Sequence, residues 1–318
     1  MQAVYLSGGR LSLAERPAPS PAGEIPVDVT LAGICRTDLE LVRGYMDFTG
    51  VPGHEFVGIA RAGRLAGRRV VGEINCPCRS CPECAAGRHH HCPHRTVLGI
   101  AGRDGAFAET LLLPEANLIP LPDELPDRAA VFAEPLAAAL RITEQVAPAP
   151  AAKAVVLGDG KLGLLCALVL ARRPGPAVTL VGRHPEKMER ISAPGLVRVV
   201  AGEERLRPDS CDLVVEATGR PGGLQAAIGL VRPLGTLVLK STIAANPEID
   251  LAPLVVKEVS LVGSRCGPLA QAVELLARGE IDPRGLVDQV FPLARAEQAL
   301  DAAARPGALK VLLQVGRS

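Results

Sequence analysis

The sequence lacks the features that point to a membrane or a nucleic acid. Aromatic residues make up only 2% of its 318 residues and tryptophan is absent, while 35 Lys and Arg balance 34 Asp and Glu. A net charge of +1 gives no electrostatic attraction to nucleic acid or to an anionic membrane. The longest apolar run, from Leu162 to Ala171, has ten residues, whereas a membrane-spanning helix needs ~20. We therefore expect no membrane insertion and no nucleic-acid partner.

The start of the sequence also lacks a secretory signal. Residues 1–9 contain no basic stretch followed by a long apolar run, so we expect a cytoplasmic protein. The nine cysteines are an odd number for a secreted disulfide scaffold, and five of them lie between Cys76 and Cys92. In a reducing compartment, such clustering indicates metal ligation rather than disulfide bonds.

Four of the clustered cysteines have the spacing of a zinc site. Cys78, Cys81, Cys84 and Cys92 follow the pattern C-x2-C-x2-C-x7-C. Four thiolates at this spacing can surround one Zn2+ at distances of ~2.3 Å and leave no coordination position for a substrate. The pattern therefore predicts a structural zinc ion, which would stabilise a loop that is too polar to form its own core. A histidine of the run 89–91 is an alternative ligand.

The pattern of secondary structure divides the chain into two parts. Up to about Leu121, Gly and Pro break the chain into short strand-like runs, which predict a mostly β region. From Ala154 to Gly263, strand-like and helix-like segments alternate, and this alternation predicts a parallel sheet with helices on both faces. The sequence thus predicts an α/β protein with a β-rich domain and a doubly wound parallel-sheet domain.

A glycine-rich turn follows the first strand of the alternating region. Gly158, Gly160 and Gly163 form G-x-G-x-x-G, with Lys161 and Leu162 at the start of an apolar helix. The first glycine permits a tight turn, the second lets a pyrophosphate approach the backbone, and the third lets the helix pack on the strand. Free N–H groups at the helix N-terminus would bind the phosphates. These five residues are the predicted cofactor site, and an ordinary strand-to-helix turn is the alternative.

The end of the next predicted strand bears on which dinucleotide is favoured. NAD-binding domains place an Asp or Glu there, about 20 residues beyond the glycines, to contact the ribose 2′-hydroxyl. In this chain Gly182 and Arg183 follow the strand, and the first acid is Glu186 in the next helix. A glycine does not repel a 2′-phosphate and Arg183 can bind one, so NADP(H) is predicted over NAD(H). The alternative is that Arg183 is a solvated loop charge.

Six short motifs occur in a characteristic order along the chain. They are Cys35-Arg36-Thr37-Asp38, Gly53-His54-Glu55, the four-cysteine cluster, Glu134-Pro135-Leu136, the glycine turn and Glu216-Ala217-Thr218-Gly219. Together they resemble the zinc-dependent medium-chain dehydrogenase/reductase superfamily, which includes alcohol, sorbitol, threonine and glucose dehydrogenases. The resemblance covers nearly the whole chain.

The resemblance implies a two-domain oxidoreductase. A GroES-like, β-rich catalytic domain would comprise residues 1–145 and 268–318, and a Rossmann domain with a doubly wound sheet would comprise residues 146–267. The active site would lie in the cleft between the domains. Relatives are dimers or tetramers, so the resemblance also implies a homodimer or a homotetramer.

The resemblance further implies a second, catalytic zinc ion. Cys35 and His54 would be ligands, together with either Glu55 or Glu134 and a water molecule that the substrate displaces. Asp38 would orient a ligand or a neighbouring Arg. The zinc would act as a Lewis acid on the substrate oxygen while a hydride passes between the substrate and the nicotinamide.

Other residues would serve the proton path or the cofactor. By the resemblance, the hydroxyl of Thr37 relays the substrate proton. The chain departs from the alcohol dehydrogenases further along this path, since it has Glu40 where they have a His. Thr218 in the later motif and Arg265 at the end of the dinucleotide-binding domain are candidates for cofactor contacts.

The implied reaction is the reversible oxidation of a primary or secondary alcohol. The motif that starts at Glu134 matches the sorbitol and glucose dehydrogenase branches and so indicates a polyol or sugar-derived alcohol. One alternative is a zinc-independent quinone or enone reductase of the same superfamily, which would not need Cys35 and His54. The other is a zinc-stabilised, non-catalytic binding protein for nucleic acid, and the near-zero net charge argues against it.

Overall fold

The computed structural model describes residues 1–20, 23–146, 149, 152–173, 175, 177–203, 206–242 and 248–316. Every residue that the sequence predicts for a functional site lies within these ranges. Within the same ranges, no helix is both long enough and apolar enough to cross a membrane.

The described residues form strands β1 to β17 and helices α1 to α10. The strands are β1 Gln2–Ser7, β2 Arg10–Glu15, β3 Ile25–Gly33, β4 Glu55–Ala60, β5 Arg69–Gly72, β6 Asn75–Cys76, β7 Thr96–Val97, β8 Thr110–Leu113, β9 Leu118–Pro120, β10 Lys153–Leu157, β11 Ala177–Gly182, β12 Leu196–Val200, β13 Cys211–Glu216, β14 Val231–Leu239, β15 Ser260–Gly263, β16 Val287–Pro292 and β17 Lys310–Gln314. The helices are α1 Arg36–Val42, α2 Pro82–Ala85, α3 Asp127–Ala130, α4 Ala133–Gln145, α5 Lys161–Ala171, α6 Pro185–Met188, α7 Gly223–Leu230, α8 Ala252–Val256, α9 Leu269–Ala277 and α10 Ala296–Ala304.

Residue contacts divide the chain into two compact units. The first comprises Met1–Glu134 and Leu269–Ser318, and the second comprises Pro135–Pro268. The first division falls within the first turn of α4, which the sequence analysis had assigned to the first domain as far as residue 145.

The first unit is built on a seven-stranded mixed sheet. Its order is β16-β17-β3-β4-β5-β9, with β8 also paired to β3. The β16–β17 pair is parallel, and the other pairs are antiparallel. Strand β3 is central, and its last residue, Gly33, lies opposite Glu55 on β4 and Leu312 on β17. This register brings the start of β4 and the start of β17 to the end of β3.

The second unit contains a six-stranded parallel sheet in the order β12-β11-β10-β13-β14-β15. Counted from β10, this is the strand order 3-2-1-4-5-6 of a doubly wound dinucleotide-binding fold. The central strands are almost entirely buried, as expected for a sheet with helices on both faces. The predicted fold class, a β-rich domain with a Rossmann domain, is therefore confirmed.

Helix α5 follows β10 directly and is apolar on all sides. Its residues Gly163 to Leu170 are all buried, which explains why the sequence shows a continuous apolar run here rather than an amphipathic pattern. The helix begins after Gly160, which adopts an extended conformation at the N-cap position. The glycine turn is thus held between a buried strand and a buried helix.

An ion pair between Glu55 and Lys310 crosses the end of β3 inside the first unit. Both side chains are completely buried, and the Lys310 ammonium also lies 5.2 Å from the centre of the Phe132 ring. A Cβ atom at Gly33 would lie 2.5 Å from Glu55 Oε2 and 3.3 Å from Lys310 Nζ. Only a residue without a side chain at position 33 lets the two charged groups meet.

We expect Lys310→Met to lower the free energy of unfolding by about 3–5 kcal/mol, because it removes the cation that compensates the buried Glu55 carboxylate. Arg284→Met is the control, since it breaks an ion pair with Asp282 whose side chains are 56% and 49% exposed. That change should cost less than about 1 kcal/mol. Urea denaturation measures both variants, and equal losses would contradict the importance of the buried pair.

Candidate active site

Cys35 lies where β3 turns into helix α1. Its backbone is extended, with φ −99° and ψ 161°, and it is the N-cap residue of the helix. The Asp38 Oδ2 atom, one turn into the helix, accepts a hydrogen bond of 2.7 Å from the Cys35 backbone N–H. The direction of the Cys35 side chain therefore depends on a carboxylate three residues later.

The same carboxylate contacts the segment that carries His54. Oδ1 of Asp38 accepts a hydrogen bond of 3.2 Å from the Gly53 backbone N–H and lies 3.4 Å from Nδ1 of His54. Asp38 and His54 are both buried. One acid thus links the Cys35 loop to the start of β4.

The side chains of Cys35, His54 and Glu55 converge. A thiol sulfur, an imidazole nitrogen and a carboxylate oxygen from these residues all lie within 4.8 Å of one another. Tetrahedral zinc with bonds of ~2.0–2.3 Å keeps its ligand atoms roughly 3.3–3.8 Å apart. The three groups have the chemistry of zinc ligands, and the upper limit of 4.8 Å on their separations is compatible with this spacing.

Glu134 lies outside this group of three but interacts with it electrostatically. The pKa of the Glu134 carboxyl is raised to about 7, mainly by burial and also by the charge of Glu55, while His54 and Lys310 oppose the rise. Glu55 is therefore the glutamate that lies within ligand distance of Cys35 and His54. Glu134 lies near enough for the charges of His54, Glu55 and Lys310 to shift its pKa.

The environment of His54 favours a positive charge. Burial by itself lowers the pKa of the imidazole, but the charges and hydrogen bonds of Asp38 and Cys35 outweigh burial and raise that pKa well above its ordinary value. A thiol, two carboxylates and an imidazole meet here, and because Lys310 pairs with Glu55, the charge of Asp38 is left beside the imidazole. Such a donor set suits a divalent cation.

The predicted proton path is only partly assembled. Thr37 lies beside the candidate ligands, with its Oγ1 atom 3.9 Å from the sulfur of Cys35. Glu40 instead forms ion pairs with Arg36 at 2.8 Å and Arg43 at 2.9 Å. The position that carries a His in the alcohol dehydrogenases is therefore occupied here by a paired carboxylate.

The four predicted cysteines converge on one point in the first unit. Cys81 is 3.5 Å from Cys84 and 3.7 Å from Cys92, and Cys92 is 3.5 Å from Cys78, measured between sulfur atoms. These distances exclude disulfide bonds of ~2.05 Å. They are close to the roughly 3.8 Å that separates sulfurs around a tetrahedral zinc ion with bonds of ~2.3 Å.

The neighbours of this cluster have other partners. Cys76 is buried, burial raises the pKa of its thiol to about 11, and its sulfur lies 3.6 Å from the Asn117 amide nitrogen. His90 lies 3.3 Å from a carboxylate oxygen of Glu73. The metal-binding groups found among the described residues include no histidine of this segment.

The three glycines of the turn differ in the space around them. A Cβ atom at Gly158, whose φ is +119°, would lie 2.5 Å from the Ala217 carbonyl oxygen, and one at Gly163 would overlap the carbonyl oxygen of Gly158. A Cβ atom at Gly160 would meet nothing within 4 Å. The outer glycines are thus required by packing, and the middle one faces open space that a phosphate group can enter.

The sequence analysis overlooked an acid in the glycine turn, Asp159, whose side chain reaches the end of the neighbouring strand β11. Gly182 has no side chain and the Arg183 side chain is exposed, but the carboxylate of Asp159 reaches this position from the glycine turn. Asp159 Oδ2 accepts hydrogen bonds from the backbone N–H groups of Arg183 and His184. The signal in the sequence was an acid between the first two glycines.

The other two predicted cofactor residues are held by buried charged groups. Thr218 donates from its backbone N–H (2.8 Å) and its hydroxyl (2.5 Å) to the buried Glu216 carboxylate. The buried Lys240 ammonium donates to the Arg265 carbonyl oxygen at 3.1 Å and to the Ala138 carbonyl oxygen at 2.6 Å. Both residues lie in loops that follow strands of the parallel sheet.

Lys310 is the main residue of the first unit that the sequence analysis missed. It is the first residue of β17 and lies in the sequence between the apolar residues Leu309 and Val311. A lysine at such a buried position needs a partner for its charge, which here is Glu55.

Comparison with known proteins gives the family of the chain. Residues 21–123 match the family model of the GroES-like domain of alcohol dehydrogenases. A relative, the 2-dehydro-3-deoxy-L-galactonate 5-dehydrogenase of Pseudoalteromonas atlantica, is 29% identical over 335 residues, which cover 98% of each chain.

Two solved structures resemble the chain over nearly its full length. Alcohol dehydrogenase TADH from Thermus sp. ATN1 is 31% identical with a TM-score of 0.86, and the match covers 99% of this chain and 100% of that one. A zinc-binding dehydrogenase from Sinorhizobium meliloti 1021, solved with NADP, is 29% identical with a TM-score of 0.86 and 98% coverage of each chain.

The chain therefore belongs to the zinc-dependent medium-chain dehydrogenase/reductase superfamily, as its motifs had indicated. It is an oxidoreductase of the alcohol dehydrogenase type.

We expect the His54 imidazole of the metal-free protein to titrate well above its ordinary pKa of ~6.5. Asp38→Asn should lower this pKa, because it removes the charge that favours the imidazolium. Asp47→Asn, which neutralises an exposed acid in the following segment, should leave it unchanged. NMR titration of the imidazole measures all three, and a His54 pKa that does not respond to Asp38→Asn would refute the link.

Proposed function

We propose that the chain catalyses reversible, zinc-dependent hydride transfer between a small alcohol and a nicotinamide cofactor. The observation that carries the proposal is the convergence of Cys35, His54 and Glu55, whose donor atoms all lie within 4.8 Å of one another. A zinc-independent quinone or enone reductase would not need these three groups together. The similarity to TADH and to the zinc-binding dehydrogenase supports the same chemistry.

Cys35, His54 and one glutamate would hold the catalytic zinc. Glu55 is favoured as the third ligand because of its distance, and Glu134 is the alternative if the site rearranges when the substrate binds. A bound zinc ion would supply a Lewis acid for the substrate oxygen. Lys310 would keep the second oxygen of Glu55 in place, and Asp38 would orient His54 and Cys35.

The hydroxyl of Thr37 would move the proton of the substrate alcohol. Its position beside the Cys35 sulfur supports this role. Beyond Thr37, the ion-paired Glu40 carboxylate cannot act like a histidine, so the proton would leave by another route.

Cys78, Cys81, Cys84 and Cys92 would hold a second, structural zinc, which gives two zinc ions per chain. Their sulfur separations of 3.5–3.7 Å support this assignment. The segment between them contains one helix of four residues and one short 3-10 turn, so metal binding would supply much of its stability.

The nicotinamide cofactor would bind at the glycine turn, with its pyrophosphate near Gly160, Lys161 and Leu162. Thr218 and Arg265 lie in nearby loops of the same unit. An NADP(H) preference, as predicted from Gly182 and Arg183, would depend on the exposed Arg183 side chain. Similar solved structures hold either cofactor, NADP in the Sinorhizobium dehydrogenase and NADH in an Escherichia coli dehydrogenase that is 27% identical. The Asp159 carboxylate opposes an NADP(H) preference.

The substrate would be a polyol or a sugar-derived alcohol. The Glu134-Pro135-Leu136 motif supports this class, as does the 29% identity to a dehydrogenase that acts on a sugar acid. Membership of the superfamily leads us to expect that the chain assembles as a homodimer or a homotetramer.

We expect two zinc ions per chain by elemental analysis, and one after Cys35→Ser, because the thiolate of the catalytic site is lost. Turnover should fall by at least ~100-fold while the melting temperature stays near that of the wild type. Cys84→Ser should also remove one zinc but lower the melting temperature. The control Cys166→Ala, at a buried cysteine outside both clusters, should keep two. One zinc in the unmodified protein would contradict the catalytic metal.

We expect Thr37→Val to lower kcat by about 100-fold with little change in KM, because it removes the hydroxyl that moves the proton. Thr37→Ser should restore kcat to within a few-fold of the wild type. Thr49→Val, at an exposed threonine nearby, is the matched control. A kcat that survives Thr37→Val would show that the proton takes another path.

A further inference from the structure

The end of strand β11 is the place where dinucleotide-binding folds distinguish a ribose 2′-hydroxyl from a 2′-phosphate. Strand β11 lies directly beside β10, with Val181 opposite Leu157, so its last residue, Gly182, is next to the glycine turn. The Gly158 backbone N–H donates to the Val181 carbonyl oxygen at 2.9 Å, which holds the two segments together.

The side-chain space of Gly182 is occupied by a different residue. A Cβ atom at Gly182 would lie 2.6 Å from Cβ of Asp159 and 2.8 Å from its Oδ2 atom. The Asp159 side chain therefore lies where the side chain of a strand-end Asp or Glu would begin. The turn supplies an acid at a position that the strand leaves empty.

This carboxylate also fills an anion-binding site formed by the backbone. Its Oδ2 atom accepts hydrogen bonds from Arg183 N at 2.6 Å, from His184 N at 2.7 Å and from His184 Nδ1 at 2.8 Å. Converging N–H groups of this kind bind phosphate oxygens in other folds. Here they already bind the chain's own carboxylate.

Asp159 is charged at neutral pH. Burial by itself raises the pKa of its carboxyl group, but the hydrogen bonds from His184 and from the two backbone N–H groups outweigh burial and lower that pKa. Its side chain is 13% exposed, so the carboxylate remains within reach of a ligand at the turn.

We propose that Asp159 determines cofactor preference and makes the site favour NAD(H), in place of the acid that is missing from the end of β11. The proposal rests on the proposed function, since it requires a nicotinamide dinucleotide at the glycine turn. A 2′-phosphate would have to displace Asp159 from three hydrogen bonds or lie against its negative charge. A 2′-hydroxyl can donate a hydrogen bond to the same carboxylate.

The basic residues around this carboxylate are Arg183, His184 and Lys187. The Arg183 side chain is exposed and can turn toward a phosphate, whereas His184 is held by Asp159 and Lys187 is buried. A preference for NADP(H) would therefore depend on Arg183. Asp159 would favour NADH and Arg183 would favour NADPH, so variants of these two residues distinguish which one sets the preference.

The test is the binding of NADH and NADPH to the zinc-loaded protein without substrate, measured by the change in the fluorescence of the reduced nicotinamide itself or by calorimetry. We expect the wild type to bind NADH at least ~10-fold more tightly than NADPH, and Asp159→Ala to reduce this ratio by ~10-fold or more, mainly by tighter NADPH binding. Asp159→Asn should act in the same direction. Arg183→Ala should change the ratio by less than ~3-fold.

Two further variants control for general electrostatics and for folding. Glu186→Gln removes an exposed charge from the neighbouring helix and should leave the ratio unchanged. The double variant Asp159→Gly with Gly182→Asp moves the acid from the turn to the strand and should keep the NADH preference. A retained NADH preference in this double variant would show that the position of the negative charge sets the preference, and not the conformation of the glycine turn.

Two results would overturn the role of Asp159. One is a wild type that binds NADPH more tightly than NADH, and the other is an Asp159→Ala variant whose NADPH-to-NADH ratio of dissociation constants stays within ~2-fold of the wild type. Either result would leave the proposed function intact. A folded wild type that binds neither dinucleotide would refute the proposed function, and the role of Asp159 with it.

Discussion

The candidate active site depends on one buried carboxylate that is not itself a metal ligand. Asp38 accepts the backbone N–H of Cys35 and of Gly53 and lies beside Nδ1 of His54. These groups come from a loop that ends one strand and a loop that begins another. Backbone hydrogen bonds also hold each loop, such as that from the Ala106 N–H to the Gly53 carbonyl oxygen, and Asp38 joins the two loops to each other. Side chains that orient metal ligands in this way commonly control metal affinity.

The second constraint is the negative charge that is buried in the candidate active site. Asp38 and Glu55 are both completely buried, and isolated buried carboxylates are strongly unfavourable. Lys310 compensates one of them across the glycine at the end of β3, and the raised pKa of His54 reflects the remaining excess. A divalent cation held by Cys35 and His54 would balance that excess. The buried carboxylates that destabilise the metal-free folded protein would therefore favour the binding of a metal ion.

The parts of the fold and site that the sequence predicted are those formed by neighbours in the chain. The glycine turn, the four cysteines and the alternation of strands and helices each lie in one continuous segment, where spacing determines geometry. The Glu55–Lys310 pair joins residues 255 positions apart, and its existence depends on the order of strands in the sheet. Sequence spacing contains no information on such a contact. The choice between Glu55 and Glu134 was open for the same reason.

Asp159 illustrates this difference within the dinucleotide-binding unit. The rule that predicts cofactor preference counts residues from the glycines to the end of the second strand, and at that position the chain has Gly182. The physical requirement, however, concerns the charge in a volume beside the ribose, and any residue whose side chain reaches that volume can meet it. Because Gly182 has no side chain, the acid of the neighbouring turn occupies that space and accepts hydrogen bonds from the backbone N–H groups of Arg183 and His184. A glycine at the strand end therefore does not by itself indicate a site for a 2′-phosphate. Its meaning depends on which side chain fills the space that the glycine leaves.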